Sequence, residues 1–446
     1  MKKAVEKVNK KWKNKKWKLK KRGFLLVCLM VVLSSAALCC VRRALASTQV
    51  IHELQWLSTN GVAASSSVMA QAGAQRSLWH QANYRFRFDW QDALASDHSW
   101  AFDLDYTLRA QHGSSVIGLN QFDTDERNNW FDWSWPIYHT HAGAARHQIE
   151  RANVVYTNAQ WAIKIGRQSI TWGNGVLFQP MDLFNPFAPD AIDTRYKPGI
   201  DMLYAQRLFA SGGDWQLLWI PRRSSQRAVA VEGSAVANSD LEVEDSVAMK
   251  GLFYTGVWQW DVMLAQDDGE RAAGVGLTAP WGQALWKLDW VVNEWTPDVV
   301  HSVDVNVQYS WQWGERPVNG IVEYYRNGFA TGTDIYTDYI EAKLVQRLLR
   351  GQLFTLGKDH LVLVARVQWL PLWFVSSTVV YQINDHSHLW LLDVDYNSGE
   401  NSTLSFGVKV ATGKRGTEYG GYYRDDTNRE ALAKPSQCYV QYEVYF

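Results

Sequence analysis

Beyond residue 46 this chain of 446 residues has no apolar run long enough for a membrane-crossing helix, and it has a single cysteine there, Cys438. A helix that crosses a bilayer needs about 20 mostly apolar residues, so helical spans are excluded from the body. One thiol excludes an intrachain disulfide framework and a thiolate metal site; Cys28, Cys39 and Cys40 all lie in the leader. A basic excess is missing too. Residues 1–46 hold 14 Lys and Arg against one acid, so the remainder carries 31 basic and 44 acidic groups, a net of −13. That balance gives no surface for nucleic acid, and no glycine-rich phosphate loop is present.

What is present begins with an export leader. Lys2 to Arg22 is strongly basic, Phe24 to Val41 is apolar, and Ala44-Leu45-Ala46 offers a small-x-small cleavage site. This is the layout of a secretory signal, and residues 1–46 are expected to be a cleaved signal peptide. The apolar run is also long enough for an uncleaved anchor, which stays open as the alternative.

The body alternates. Tyr84, Phe86, Phe88 and Trp90 share one parity with Arg85, Arg87 and Asp89 on the other, and Val303, Val305, Val307, Tyr309, Trp311 and Trp313 stand against Asp304, Asn306, Gln308, Ser310 and Gln312. Period-two alternation over about ten residues predicts strands with one greasy and one wet face, as a membrane-spanning β-barrel requires. Residues 82–446 supply seventeen such segments, and Val50 to Leu57, in the less legible segment 47–81, would make eighteen. Short connections (157–158, 210–212, 279–282, 314–316, 397–401) alternate with long ones (111–147, 169–199, 222–245, 328–358, 412–436). All the long ones therefore fall at one end, matching the short periplasmic turns and long outer loops of such barrels. Of the 24 Trp, 22 follow residue 46, which suits aromatic girdles. In one long connection, Ile340, Leu344, Val345 and Leu348 recur at helical spacing and predict a short amphipathic helix.

One connection stands apart. Residues 169–199 are dense in Gly, Pro, Asn and Asp, yet carry Trp172, Phe178, Phe184 and Phe187. So long a loop is usually functional or disordered, and four large aromatics argue for order. Its ionisable groups are Asp182, Asp190, Asp193, Arg195 and Lys197, flanked by Arg167, Asp201 and Arg207. Charges of both signs across a narrow aqueous gap would set a transverse field on passing solutes. Anchoring pairs such as Arg167 or Arg195 with Asp193 or Asp182 are the competing use of the same residues.

The chain ends with Cys438, Val440, Tyr442, Val444 and terminal Phe446 on one parity. This resembles the C-terminal signal by which Gram-negative outer-membrane proteins are handed to the barrel-assembly machinery. Residues 160–209 resemble the inward-folded loop of porin-like barrels, an architectural likeness that names no subfamily. The resemblance implies an all-β fold: a closed transmembrane antiparallel β-barrel of 16–18 strands, with loop 169–199 folded over or into the lumen. It implies constriction candidates Arg167, Trp172, Asp182, Asp190, Asp193, Arg195, Lys197 and Arg207, and assembly-signal residues Val440, Tyr442, Val444 and Phe446. Outer-membrane lipids, the assembly machinery and small hydrophilic solutes are the expected partners, and no cofactor is expected.

Enzyme chemistry is weakly supported. Asp97-His98, Asp267-Asp268, Asp385-His386 and Asp425-Asp426 could form protease-like pairs, but loop parity puts Asp97-His98 at the end away from the others. His139, His141 and His147 lack a carboxylate or thiol at ligand spacing. The sequence therefore reads as a non-enzymatic outer-membrane channel for small hydrophilic solutes. A polysaccharide-export barrel and a non-conducting receptor or structural barrel are the alternatives.

Overall fold

The computed structural model describes residues 47–62, 76–92, 97–113, 129–140, 142–189, 191–192, 195–223, 244–295, 297–330, 332–336, 344, 347–348, 350–423, 431–432 and 436–446. The strands are β1 (Ser47–Val62), β2 (Arg76–Gln91), β3 (His98–Gly113), β4 (Ser134–Thr140), β5 (Gly143–Asn158), β6 (Trp161–Gln168) and β7 (Ile200–Leu208). They continue with β8 (Asp214–Ile220), β9 (Ser246–Thr255), β10 (Trp258–Asp267), β11 (Glu270–Trp281), β12 (Ala284–Trp295), β13 (Asp298–Trp313) and β14 (Arg316–Arg326). The last are β15 (Asp359–Leu370), β16 (Trp373–Gln382), β17 (His388–Gly399), β18 (Ser402–Thr412), β19 (Tyr422–Tyr423), β20 (Ala431–Leu432) and β21 (Ser436–Tyr445).

Eighteen of these form the wall. Each pairs antiparallel with its neighbours, β3 pairs with β5, and β21 pairs with both β18 and β1. The ring is thereby closed and has no free edge, which satisfies every wall backbone group without help from solvent. Segment 47–81, left partly open by the sequence, supplies β1 and the start of β2. β4 pairs only with the part of β5 that lies beyond the reach of β6. The predicted helix is represented by helical backbone at Leu344, Arg347 and Leu348. Leu344 and Leu348 pack with Trp295, Phe329, Tyr336, Leu353 and Leu356 rather than lying outside; Ile340 and Val345 are outside the described residues. No helix among the described residues is long and apolar enough to cross a membrane.

The two faces are inverted relative to a water-soluble sheet. On β12 to β14 the buried positions are Asp289, Asp304, Asn306 and Glu323, each 0% exposed, while Trp290 and Val322 are exposed at 45% and 49%. Such a wall is stable only with apolar material outside it. Exposed Trp161, Trp215, Trp258, Trp281, Trp313 and Trp369 crowd the end of the short turns and form one girdle. At the opposite, long-loop end, Asp268 (φ 50°) and Gly269 (φ 79°) join β10 to β11 in a tight turn with both residues left-handed, which suits the twist of the flanking strands. Both ends of the ring meet where Phe446 and His52 exchange backbone hydrogen bonds of 2.9 Å and stack their rings 5.4 Å apart. Tyr442 and Phe446 are exposed and share a parity with Val440 and Val444.

Candidate functional site

The loop between β6 and β7 (169–199) is held by three separate sets of contacts. The first is apolar. Trp172, Met181, Leu183 and Phe184 pack against Ile200, Met202 and Tyr204 of β7, Leu218 and Ile220 of β8, Ala248, Met263, Ala272 and Val291. These strand residues alternate with exposed Leu203, Trp219, Val247 and Trp290, so they lie on the face turned away from the apolar exterior. The expectation of a wet inner face thus holds only in part on β7 to β12, where this apolar patch shares the inner wall with Gln216, Lys250, Asp261 and Asp289. Trp172 also donates its indole N–H to Gln216 at 2.8 Å.

The second set is a pair of backbone clamps on buried carboxylates. The N–H groups of Val176, Leu177 and Phe178 all donate to Glu323 on β14, at 2.9, 3.0 and 2.8 Å. Asn174 gives its backbone N–H and its side-chain amide to Asp289 on β12, at 2.6 and 2.8 Å. Gly173, at φ 105°, adopts a left-handed backbone there, and a Cβ on it would lie 2.9 Å from Asp289 Oδ2. Phe178 stacks 4.3 Å from Tyr325.

The third set is far from the second around the ring. The Tyr196 hydroxyl donates to Asp105 on β3, and its ring lies under the guanidinium groups of Arg85 and Arg151, at 3.6 and 4.3 Å. Arg195 pairs with Glu443 on β21. Counting along the paired strands, β3 and β14 are eight steps apart one way and ten the other. Within the loop, Lys197 forms an ion pair with Asp182 and donates to the carbonyl of Ile170 at 2.6 Å. Burial pushes the Asp182 carboxyl up and the Lys197 amine down, and each is opposed by the charge of the other.

The candidates from sequence separate into groups. Trp172, Asp182, Arg195 and Lys197 belong to this loop assembly. Asp190 and Asp193 lie outside the described residues. Arg167 sits elsewhere: the register sets it opposite Asp201 on the alternation of Ile163 and Ile165, although both are buried. They are buried because residues 129–133 cover them. Arg167 donates to Asp201 at 2.9 Å and to the carbonyls of Ile149 and Phe131 at 3.0 and 2.5 Å, and Asp201 accepts from the N–H of Phe131. Arg167 is therefore an anchor for the 129–134 segment, not a lumen charge. Arg207 departs further. It lies on the same face as exposed Leu203, and its guanidinium lies 5.5 Å from the Trp161 ring, in the girdle at the short-turn end.

Two of the protease-like acids have structural partners, and Asp425 and Asp426 lie outside the described residues. Asp267 accepts from Arg222, Ser246 and Gln352, and Asp385 accepts from the N–H groups of Ser387 and Glu418. Sequence reasoning missed Glu323, Asp289 and Tyr196. Acids at mid-strand must face inward, so Glu323 and Asp289 were readable as lumen groups, but nothing marked them as the loop's anchors.

A scan against protein-family models and a search of curated proteins both find no match. Among solved structures, a BenF-like porin from Pseudomonas fluorescens Pf-5 superposes with a TM-score of 0.53 at 11% identity, over 90% of this chain and 98% of that one. OccK5 (OpdH) of Pseudomonas aeruginosa gives 0.52 at 8% identity, over 90% and 97%. At that identity the likeness speaks to fold. By fold, then, this chain is a closed 18-stranded antiparallel β-barrel of the outer-membrane porin type.

Proposed function

We propose that this protein is an outer-membrane channel for small hydrophilic solutes, exported through a cleaved leader, and that loop 169–199 sets its constriction. The observation that carries the reading is the pair of remote attachments. One loop is tied to Glu323 on β14 and to Asp105 and Glu443 on β3 and β21. A chain segment bound to inward positions on nearly opposite walls crosses the space between them. The walls so joined carry polar and ionisable groups. Asp261, Asp289, Asp304 and Glu323 are buried on β10 to β14, and on β2, β3 and β5 Arg87, Arg109 and Arg151 stand beside Asp105 and Glu150, the acids they pair with. A narrowed lumen lined in this way favours polar, hydrated solutes over apolar ones. Lipids of the outer membrane would cover the exposed apolar face, and Val440, Tyr442, Val444 and Phe446 would present the assembly signal.

Single-channel recording in planar bilayers tests this reading. The intact protein should conduct, and deletion of residues 172–195 should raise its conductance. Unchanged conductance after the deletion would put the loop outside the passage, and a silent intact protein would leave the non-conducting barrel.

A further inference from the structure

The loop's described contacts toward β14 to β17 are the clamp on Glu323 and the Phe178 ring, which meets Tyr325 and His360 and shares one apolar cluster with Val362, Val380 and Leu389. All five sit near the long-loop ends of their strands. Farther down the same sector, a different group of inward positions carries charge in water. Arg366 on β15 follows His360 and Val362 on the inward parity and pairs in register with Ser376 and Asn319. It lies four residues before the end of its strand, roughly 13 Å along the chain from the short turn. Asp395 on β17 faces the same space, in register with Phe374 and Ser405.

The geometry of this pair is open. Arg366 and Asp395 approach to 3.8 Å, with side chains 52% and 25% exposed. The Lys197–Asp182 pair of the loop is 5% and 1% exposed. A loose, hydrated ion pair contributes little to stability, and separating its members strands no buried charge. Each member is nevertheless held in place. The Arg366 guanidinium rests 5.2 Å from the Phe374 ring, and Asp395 accepts from the Ser405 hydroxyl at 2.7 Å. Next to it Asp393 accepts from the Tyr439 hydroxyl. These are positioned charges with no structural task that requires them to be charges.

We propose that Arg366 and Asp395 form a second charge filter, nearer the short-turn end than the loop and independent of it. This rests on the channel reading above. A unit charge about 5 Å from a passing ion in water, screened at an ionic strength of about 0.1 M, changes the local occupancy of each ion about twofold in opposite directions, and so the relative permeation of cations and anions about fivefold.

Reversal potentials across a salt gradient test the proposal with the full chain in planar bilayers. Arg366→Ala should raise the cation-to-anion permeability ratio about fivefold, and Asp395→Ala should lower it by a similar factor. Arg366→Lys should keep the wild-type ratio. Arg316→Ala serves as a control on the outer face of the same sector, because Arg316 lies 3.9 Å from the exposed Trp369 ring and should leave the ratio unchanged. Heat-modified gel migration of each variant confirms a closed barrel. If the wild type conducts and neither Arg366→Ala nor Asp395→Ala moves the ratio, the filter is refuted while the channel stands. A wild type that does not conduct refutes the channel, and the filter with it.

Discussion

Replacing Glu323 with alanine should free the backbone N–H groups of residues 176–178 while leaving the Asn174–Asp289 clamp, the apolar anchors and the two flanks of the loop in place. Glu323 is fully buried and accepts three consecutive backbone N–H groups, from Val176, Leu177 and Phe178. Hydrogen bonds to a charged group contribute about 1.5–3 kcal/mol each, so the clamp holds roughly 4–9 kcal/mol. Against it stand the apolar anchors. Trp172, Phe178, Met181 and Phe184 are each at most 6% exposed, and burying such side chains contributes about 1.5–3 kcal/mol apiece, roughly 6–12 in sum. The anchors therefore hold after the clamp is lost, and the effect stays local. Hydrogen–deuterium exchange read by mass spectrometry measures this without any need for conduction. In Glu323→Ala the amides of 176–178 should exchange at least about a hundredfold faster, the equivalent of about 3 kcal/mol. Peptides covering 181–200 should keep their protection. Unchanged exchange at 176–178 would refute the clamp. Loss of protection across the whole loop would refute the dominance of the apolar anchors.

Two further outcomes follow from the ion pairs. Arg167→Lys keeps the charge but cannot reproduce a guanidinium that reaches Asp201 and two carbonyls at once; thermal unfolding should show a loss of about 3–5 kcal/mol, and exchange should rise at 129–134. Lys197→Met should cost a similar amount, because it leaves the buried Asp182 without its counter-charge, whereas Lys197→Met with Asp182→Asn should recover most of it. In the single variant the opposing charge is gone and burial outweighs the backbone hydrogen bonds from Phe184 and Asn185, so the folded-state pKa of Asp182 lies further above the unfolded value. That variant should be most stable below the ordinary carboxylate range and lose stability as pH rises beyond it, through the raised folded-state pKa. An unfolding midpoint that rises with pH there would contradict the assignment.

The eighteen wall strands were legible because lipid outside and water inside impose alternation at every second residue, as on Val303 to Trp313. Ser134 to Thr140 escaped notice for the converse reason: apart from Ser134 it is exposed on both faces and contains Pro136, so it has no buried stripe to betray it. Arg207 could have been placed from sequence, since it shares the parity of Leu203 and Ala205. Arg167 could not. Its parity with Ile163 and Ile165 points to the exterior, and only the cover supplied by residues 129–133 makes a buried cation tolerable there. Met202, Tyr204, Leu218 and Met263 were equally opaque. A strand apolar on both faces gives no sign of which one its own loop will cover.

On the reading proposed above, with the loop inside the ring, the apolar patch on the inner side of β7 to β12 has a consequence for biogenesis. A ring closed before Trp172, Met181 and Phe184 were seated would trap water against an oily strip, and the segment would then have to thread into a finished cylinder. Seating the loop while β1 and β21 are still apart removes both obstacles. The final seam between Phe446 and His52 would then be sewn around contents already packed.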